Sequence, residues 1–331
     1  MIRHSLREHT GADALAVLDR QWRELYAEDD RASYFQSPDW LLAWVQQLPE
    51  TATPIVLAAT STTGRILAAL ALVRHGNNVT ALSAPHAAYV RPVGPHADTP
   101  AVAATFAFHL LLLSQNGVNV DLSDVPATSG LAHALADVGD DSAWQCSPDT
   151  ATALELPLTP ASLSRSAQRE HTRLQRTWHR LVADQDLAYT RSRHIRDLLA
   201  GFDVLNRLHQ PGQWPGHAAS AQQWRAVLDH IGAADAFVAT LSVDRTIVAA
   251  QLGVVRGRHC TVLLSALAFT ARHLGPDHAL LRHLARDLAG EGFTALTLGR
   301  AVHGRHTYQH QRQPVWASTL TASSIRLAPA V

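Results

Sequence analysis

Lysine is absent from all 331 residues, so each of the 28 basic side chains counted as lysine or arginine is an arginine. Alanine is abundant, and together these read as genomic composition bias and not as mechanism. Cysteine occurs only at Cys146 and Cys260. Two cysteines in separate halves make neither a disulfide framework nor a CxxC metal spacing, so both are expected to be small buried or inert thiols, and no metal site is expected. Net charge is also lacking: 28 acidic residues balance the arginines, with 20 histidines uncounted. The molecule as a whole is therefore no general polyanion binder, although one local basic face occurs. No apolar run approaches the ~20 residues needed to cross a bilayer. The segment Met1-Ile-Arg-His-Ser-Leu-Arg-Glu-His9 places charges where a signal peptide needs an apolar stretch. A cytoplasmic protein that does not engage the membrane is expected.

What the sequence does have is core material. A hydrophobic content of 47% over this length is ample for two domains, expected at 1–160 and 161–331. An internal repeat supports the division. Pro54 to Thr60, the turn Thr63-Gly64-Arg65 and Ile66 to Val73 read as a hairpin. Ala236 to Val243, the turn Asp244-Arg245 and Thr246 to Val255 follow the same plan, with Leu67-Ala68-Ala69 falling on Val248-Ala249-Ala250, 181 positions later. Each hairpin is followed by a short strand (Asn78 to Ser83; Cys260 to Leu267), a helix (Pro100 to Ser114; Pro276 to Gly290) and a strand after a glycine (Val118 to Leu122; Thr294 to Leu298). Three antiparallel strands, a helix and a returning parallel strand predict a mixed, mostly antiparallel sheet flanked by helices, built twice: an α/β (α+β) fold of acyltransferase type.

Ordered features elsewhere carry a family resemblance. They are Phe35-Gln-Ser-Pro-Asp-Trp40 with Trp44, the helix Ser164 to Arg176, and Leu205-Asn-Arg-Leu-His-Gln210 leading to Trp214. The second hairpin, Leu274-Gly-Pro-Asp-His-Ala-Leu-Leu281, Leu296-Thr-Leu-Gly-Arg300 and Tyr308 complete the series. In this order they resemble the CelD-like acetyltransferases of the GNAT superfamily, a two-lobed group related in architecture to Fem-type aminoacyltransferases. The chain departs from that family in two places. It has Tyr308-Gln309 where a Tyr-Lys pair is common, and Gln213-Trp214 where Arg-Trp is usual.

The resemblance implies two tandem GNAT-like domains and acyl transfer to an amine. That reaction needs a donor in register, a neutral amine, and stabilisation of the oxyanion with protonation of the leaving group. A covalent intermediate is unnecessary, which agrees with the lack of a GxSxG elbow or a Cys-His pair. No tightly bound cofactor is expected, only a donor co-substrate, acyl-CoA or aminoacyl-tRNA. In GNAT enzymes the donor pyrophosphate rests on backbone amides at the turn into the central helix. The matching turn is Arg272-His-Leu-Gly-Pro-Asp277, with Arg272, Gly275, Asp277 and His278 as donor-binding candidates. Pro276 removes an amide there and the Asp277 carboxylate repels phosphate, which weakens the cradle; equally, both residues suit a simple helix start.

On a helix, Arg165, Arg169, Arg173, Arg176 and Arg180 fall within roughly an 80° arc, with Leu174, Trp178 and Leu181 about 160° away. Such a stripe can hold a phosphodiester or a phosphorylated donor, or can simply face solvent. With the weakened turn it tilts the donor toward aminoacyl-tRNA, with any contact limited to the acceptor end. Proton-transfer candidates are Tyr308, which matches a family tyrosine, with His303, His306 and His310 around it. Arg300, at the end of the last strand of the repeat, is placed to hold an acceptor carboxylate or to form a structural ion pair. The acceptor is expected to be a small-molecule amine, in specialised metabolism such as antibiotic biosynthesis. The alternatives are a coenzyme-A-dependent sugar or polysaccharide acetyltransferase, and a degenerate GNAT scaffold that binds a partner.

Overall fold

The computed structural model describes residues 3–82, 89–139, 145–147, 152–160, 186–208, 220–231, 235–300 and 311–320. The chain forms two compact units, Met1–Ala151 with Pro314–Val331, and Thr152–Gln313.

The first unit begins with β1 (His4–Thr10), then α1 (Ala12–Ala16), a π-helical segment Val17–Gln21, α2 (Trp22–Ala27) and α3 (Pro38–Val45). The Ser37 side chain accepts from the Trp40 amide and Pro38 follows it, so α3 starts on a capped and pre-shaped turn. Next come β2 (Ala52–Ser61), β3 (Ile66–His75), β4 (Asn78–Ala81), α4 (Pro100–Gln115), β5 (Asn119–Pro126), α5 (Gly130–Gly139) and β6 (Gln145–Ser147). In β2 every residue from Ile55 to Thr60 is buried, and in β3 every residue from Leu67 to Val73. Burial without alternation requires cover on both faces of the sheet, and α1, α2 and α4 all pack on these strands or their neighbours.

The second unit contains β7 (Thr152–Pro157), β8 (Leu187–Ser192), α6 (Ile195–Leu208), α7 (Ala221–Ile231), β9 (Ala236–Val243), β10 (Thr246–Arg256) and β11 (His259–Leu267). A 3-10 helix (Phe269–Leu274), α8 (Pro276–Gly290) and β12 (Ala295–Arg300) follow, and the chain then returns to the first unit in β13 (Gln311–Leu320). The β9–β10 turn is made by Asp244 and Arg245 at φ 47° and 64°, the double positive φ of a two-residue hairpin. Phe237, Ala239 and Leu241 of β9 pack with Leu280, Leu284 and Leu288 of α8. Val238, on the opposite face of β9, lies against Gly201 of α6, where an added Cβ would sit 2.3 Å from its Cγ2.

Each unit holds one sheet of the expected kind. The first runs β1-β2-β3-β4-β5-β13, with β6 also on β13; the second runs β7-β12-β11-β10-β9-β8. In both, one neighbouring pair is parallel, β4 with β5 and β11 with β12, while β2–β3, β3–β4, β9–β10 and β10–β11 are antiparallel. The two-domain sheet plan read from the repeat is thus borne out. The sequence reading placed one cut at residue 160, whereas the units meet near 151 and residues 314–331 join the first unit. Strand pairing is the reason. Val315 to Leu320 run antiparallel to Pro126 to Val120 of β5, and Ala317 to Thr319 pair with β6. The equivalent place in the second unit, beside β12, is taken by β7. Each unit's otherwise open strand edge is thereby covered.

Candidate functional site

The parallel pair of the second unit is short. His259, Cys260 and Thr261 face Ala295, Leu296 and Thr297, and there the ladder stops, although β11 runs on to Leu267 and β12 to Arg300. Just past that point β11 also breaks register with β10, Leu252 facing Leu264 but Gly253 facing Val262. An extra residue on β11 at this bulge bends the strand away from its neighbours. Beyond Thr261 and Thr297 the two strands no longer pair with each other, which leaves a slot in the ladder. From there β11 continues in sequence to the 3-10 helix Phe269–Leu274 and the start of α8.

Gly275 joins the two helices at φ 63° and ψ 45°, a left-handed conformation that favours glycine. Pro276 opens α8 and Asp277 lies in its first turn. The amides of His278 and Ala279 donate to the Gly275 carbonyl at 3.2 and 3.4 Å. The helix thus uses those two donors internally, and Pro276 has none to offer. The N-terminal end of a helix of this length still attracts negative charge through its dipole, against the Asp277 carboxylate in the same turn.

The expected site residues divide into two groups. Gly275, Asp277 and His278 come together at this helix start; Arg272 lies on the 3-10 helix before it and Arg300 at the end of β12, but the side chains of these two arginines lie outside the described residues. Arg165, Arg169, Arg173 and Arg176 of the proposed stripe, and Tyr308, His303, His306 and His310 of the proton-transfer set, also lie outside the described residues. Cys260 is buried in the parallel pair, where burial pushes its thiol up to about 12. At neutral pH it is protonated, as expected of an inert thiol. Among the described residues no group of His, Cys, Asp and Glu is arranged to hold a metal ion.

One polar cluster escaped the sequence reading. Tyr189 and Arg191 of edge strand β8 reach α8: the Tyr189 hydroxyl donates to Asp287 Oδ2 at 2.9 Å, Arg191 Nε donates to the same oxygen at 2.6 Å, and Arg191 also bonds Glu291. The His283 ring stacks on Tyr189 with centroids 5.3 Å apart. Burial would raise the Asp287 carboxyl, but the hydrogen bonds from Arg191 and Tyr189 and the arginine charge outweigh it and hold the carboxyl below its usual range. The His283 imidazole is pushed down by burial and by the charges of Arg282 and Arg286. The cluster anchors the second half of α8 to the sheet edge. Its spacing was a legible signal: residues two apart on a strand, and His283, Asp287 and Glu291 four apart on a helix.

The first unit has a buried ion pair of its own. Arg91, 4% exposed, meets Asp29, 5% exposed, through two bonds of 2.8 and 3.0 Å. Burial lowers the Arg91 guanidinium from its ordinary value, opposed by Asp29 and Asp98. Asp98 sits at 3.3 Å from Arg91 and 2.7 Å from Arg31. A cavity of about 370 Å³ borders this group, lined by Glu28, Asp30, Pro95 and Thr99 among others.

Comparison with known proteins agrees with this architecture. Among solved structures, the chain is similar to FemX (TM-score 0.60, 9% identity, 92% of this chain and 96% of that one). It is also similar to a tandem GNAT protein from the clavulanic acid biosynthesis pathway (TM-score 0.52, 14% identity, 96% and 99%). The fold is that of a tandem GNAT protein. The same fold relates it to the C-terminal domain of a putative lysylphosphatidylglycerol synthetase from Agrobacterium fabrum (TM-score 0.59, 16% identity, 93% of each chain). Residues 167–310 match the family described as the acetyltransferase (GNAT) domain. That span takes in β11, β12, the Gly275 turn and α8, and extends over Tyr308 and the arginine stripe except Arg165. No curated protein matches the sequence. Among the described residues, no helix of this tandem GNAT fold is long and apolar enough to cross a membrane.

Proposed function

We propose that the protein is an acyltransferase that forms an amide bond on a small-molecule amine, with the donor held in the second unit at the turn from Arg272 to His278. The observation that carries this reading is the coincidence of three features within the GNAT-matching span: the β11–β12 ladder ends after Thr261, Gly275 turns through the left-handed region, and α8 begins directly after it. In the reaction the amine nitrogen attacks the donor carbonyl, the new C–N bond forms, and the C–S bond of a thioester or the C–O bond of an aminoacyl ester breaks. The proton lost by the amine goes to a base, and the departing thiolate or ribose alkoxide takes one up. Tyr308 is assigned to protonate the leaving group, with His303 or His306 receiving the amine proton, and Arg300 holding an acceptor carboxylate. Acyl-CoA is the donor that the GNAT domain favours. Aminoacyl-tRNA is favoured by the stripe Arg165, Arg169, Arg173 and Arg176, and by the weakening of the turn through Pro276 and Asp277. Fem-type likeness in fold is compatible with both donors, and so is a role in specialised metabolism. The closer resemblance to CelD-like acetyltransferases rests on the ordered sequence features alone, as does the assignment to the cytoplasm.

Incubation with acyl-CoA or charged tRNA and a panel of amines is expected to give an acylated product detectable by mass spectrometry. Tyr308→Phe is expected to lower kcat by about 10²–10⁴-fold, the range for loss of a positioned acid, whereas Arg272→Ala is expected to raise the KM for the donor. Absence of turnover with both donor classes would count decisively against the reading.

A further inference from the structure

The two units carry the same five-residue pattern at equivalent positions of the repeat, and in the first a carboxylate fills the turn it forms. Arg91-Pro92-Val93-Gly94-Pro95 and Arg272-His273-Leu274-Gly275-Pro276 share the pattern Arg-x-x-Gly-Pro, and 272 − 91 equals 181, the offset that also superposes the hairpins. Both strings follow a strand that has left its parallel partner, after Thr80 facing Asp121 in the first unit and after Thr261 facing Thr297 in the second. Both glycines take a positive φ, 136° at Gly94 and 63° at Gly275, and both precede the helix that returns to the sheet, α4 or α8. In the first unit, however, α4 begins at Pro100, five residues after Pro95, and Asp29 from the loop after α2 enters the turn.

Asp29 is bound there as an anion would be. Its Oδ2 accepts from the Gly94 amide at 3.0 Å and from Arg91 Nη1 at 2.8 Å; its Oδ1 accepts from Arg91 Nη2 and from the Arg31 amide, each at 3.0 Å. A glycine-turn amide and a guanidinium converging on one oxyanion are the donor set that recognises a phosphate group. The fit is incomplete: Arg91 Nε is buried without a partner among the described residues, one donor more than the carboxylate satisfies. The adjoining cavity is lined by Glu28, Asp30 and Asp98 as well as Asp29, against Arg31 and Arg91. Its acidic rim repels a second anion.

We infer that the first unit keeps a duplicate of the donor turn as a phosphate-type anion site, and that the Asp29 carboxylate occupies it permanently, leaving a single open donor turn per chain, in the second unit. The assignment of that open turn rests on the function proposed above; the occupied site does not. Inorganic pyrophosphate is the probe, compared with chloride at equal ionic strength. Removing the carboxylate in Asp29→Ala is expected to lower the thermal midpoint by several degrees. Pyrophosphate is expected to restore part of that loss, beyond any shift it gives the unsubstituted protein, and the excess is expected to vanish in the double variant Asp29→Ala/Arg91→Gln. Asp29→Asn, which keeps the side-chain shape, serves if the alanine variant does not fold. Equilibrium dialysis of that variant is expected to count one more pyrophosphate per chain than the unsubstituted protein. An unchanged count, or a midpoint shift no larger than that of the unsubstituted protein, would overturn the inference. Turnover of the unsubstituted protein with acyl-CoA or charged tRNA tests the donor-turn reading separately, so the two can fail independently.

Discussion

At the scale of single residues, the chemistry of this protein is organised by where carboxylates find arginines. Asp287 shows how such a pairing reports itself. Its carboxyl is held below the ordinary value, so it favours the folded state above the unfolded pKa of about 3.9, and that contribution fades as pH drops through the lower folded value. Asp287→Asn is therefore expected to be less stable than the unsubstituted protein at pH 7, with the difference narrowing below about pH 4. Chemical denaturation at a series of pH values checks this; a difference independent of pH would mean that Tyr189 and Arg191 contribute packing alone. Of this cluster, the sequence alone offered only spacing. Which arginine meets which carboxylate depends on β8 lying at the sheet edge beside α8, and β8 itself was not anticipated. The same holds for Asp29 and Arg91, which are 62 residues apart and meet only because α2 and the turn after β4 pack on one sheet.

At the scale of elements, the slot between β11 and β12 depends on the bulge where Gly253 faces Val262. A Cβ at Gly253 would stand 2.4 Å from Phe237 Cζ and 2.7 Å from the Thr261 carbonyl oxygen, so both the core ring and the neighbouring backbone would have to move. Gly253→Ala is expected to cost about 1–3 kcal/mol, the usual range for overpacking, read as a lowered denaturation midpoint. Donor KM should rise with it, because Thr261 is the last residue paired before the strands part. The elements themselves were largely legible. Ala236–Val243 and Pro276–Gly290 have the bounds that periodicity, the two-residue turn and the proline start suggest. The short parallel ladder was not, because residue pattern says whether a segment is a strand but not how far it stays with its partner.

At the scale of the whole molecule, the route of the chain matters more than its composition. The last strand of the sequence completes the first sheet, covering the edge of β5 and pairing with β6. Truncation after Gln313 removes most of β13, and amide exchange in β5 and β6 is expected to accelerate while β9 and β10 of the second unit stay protected. Equal acceleration in both units would contradict the assignment of residues 314–331 to the first.

Repetition, hairpin register and the glycine-proline turns are local properties, encoded within a few dozen consecutive residues, and the amino-acid sequence was sufficient to specify two sheets of one plan. Three things emerged only on folding: which strand closes each sheet, where β11 separates from β12, and which carboxylate enters the first turn. Each joins residues far apart in the chain. Their pairing is decided by backbone hydrogen-bond completion and by the cost of leaving a buried charge alone, and neither leaves a mark on nearby sequence.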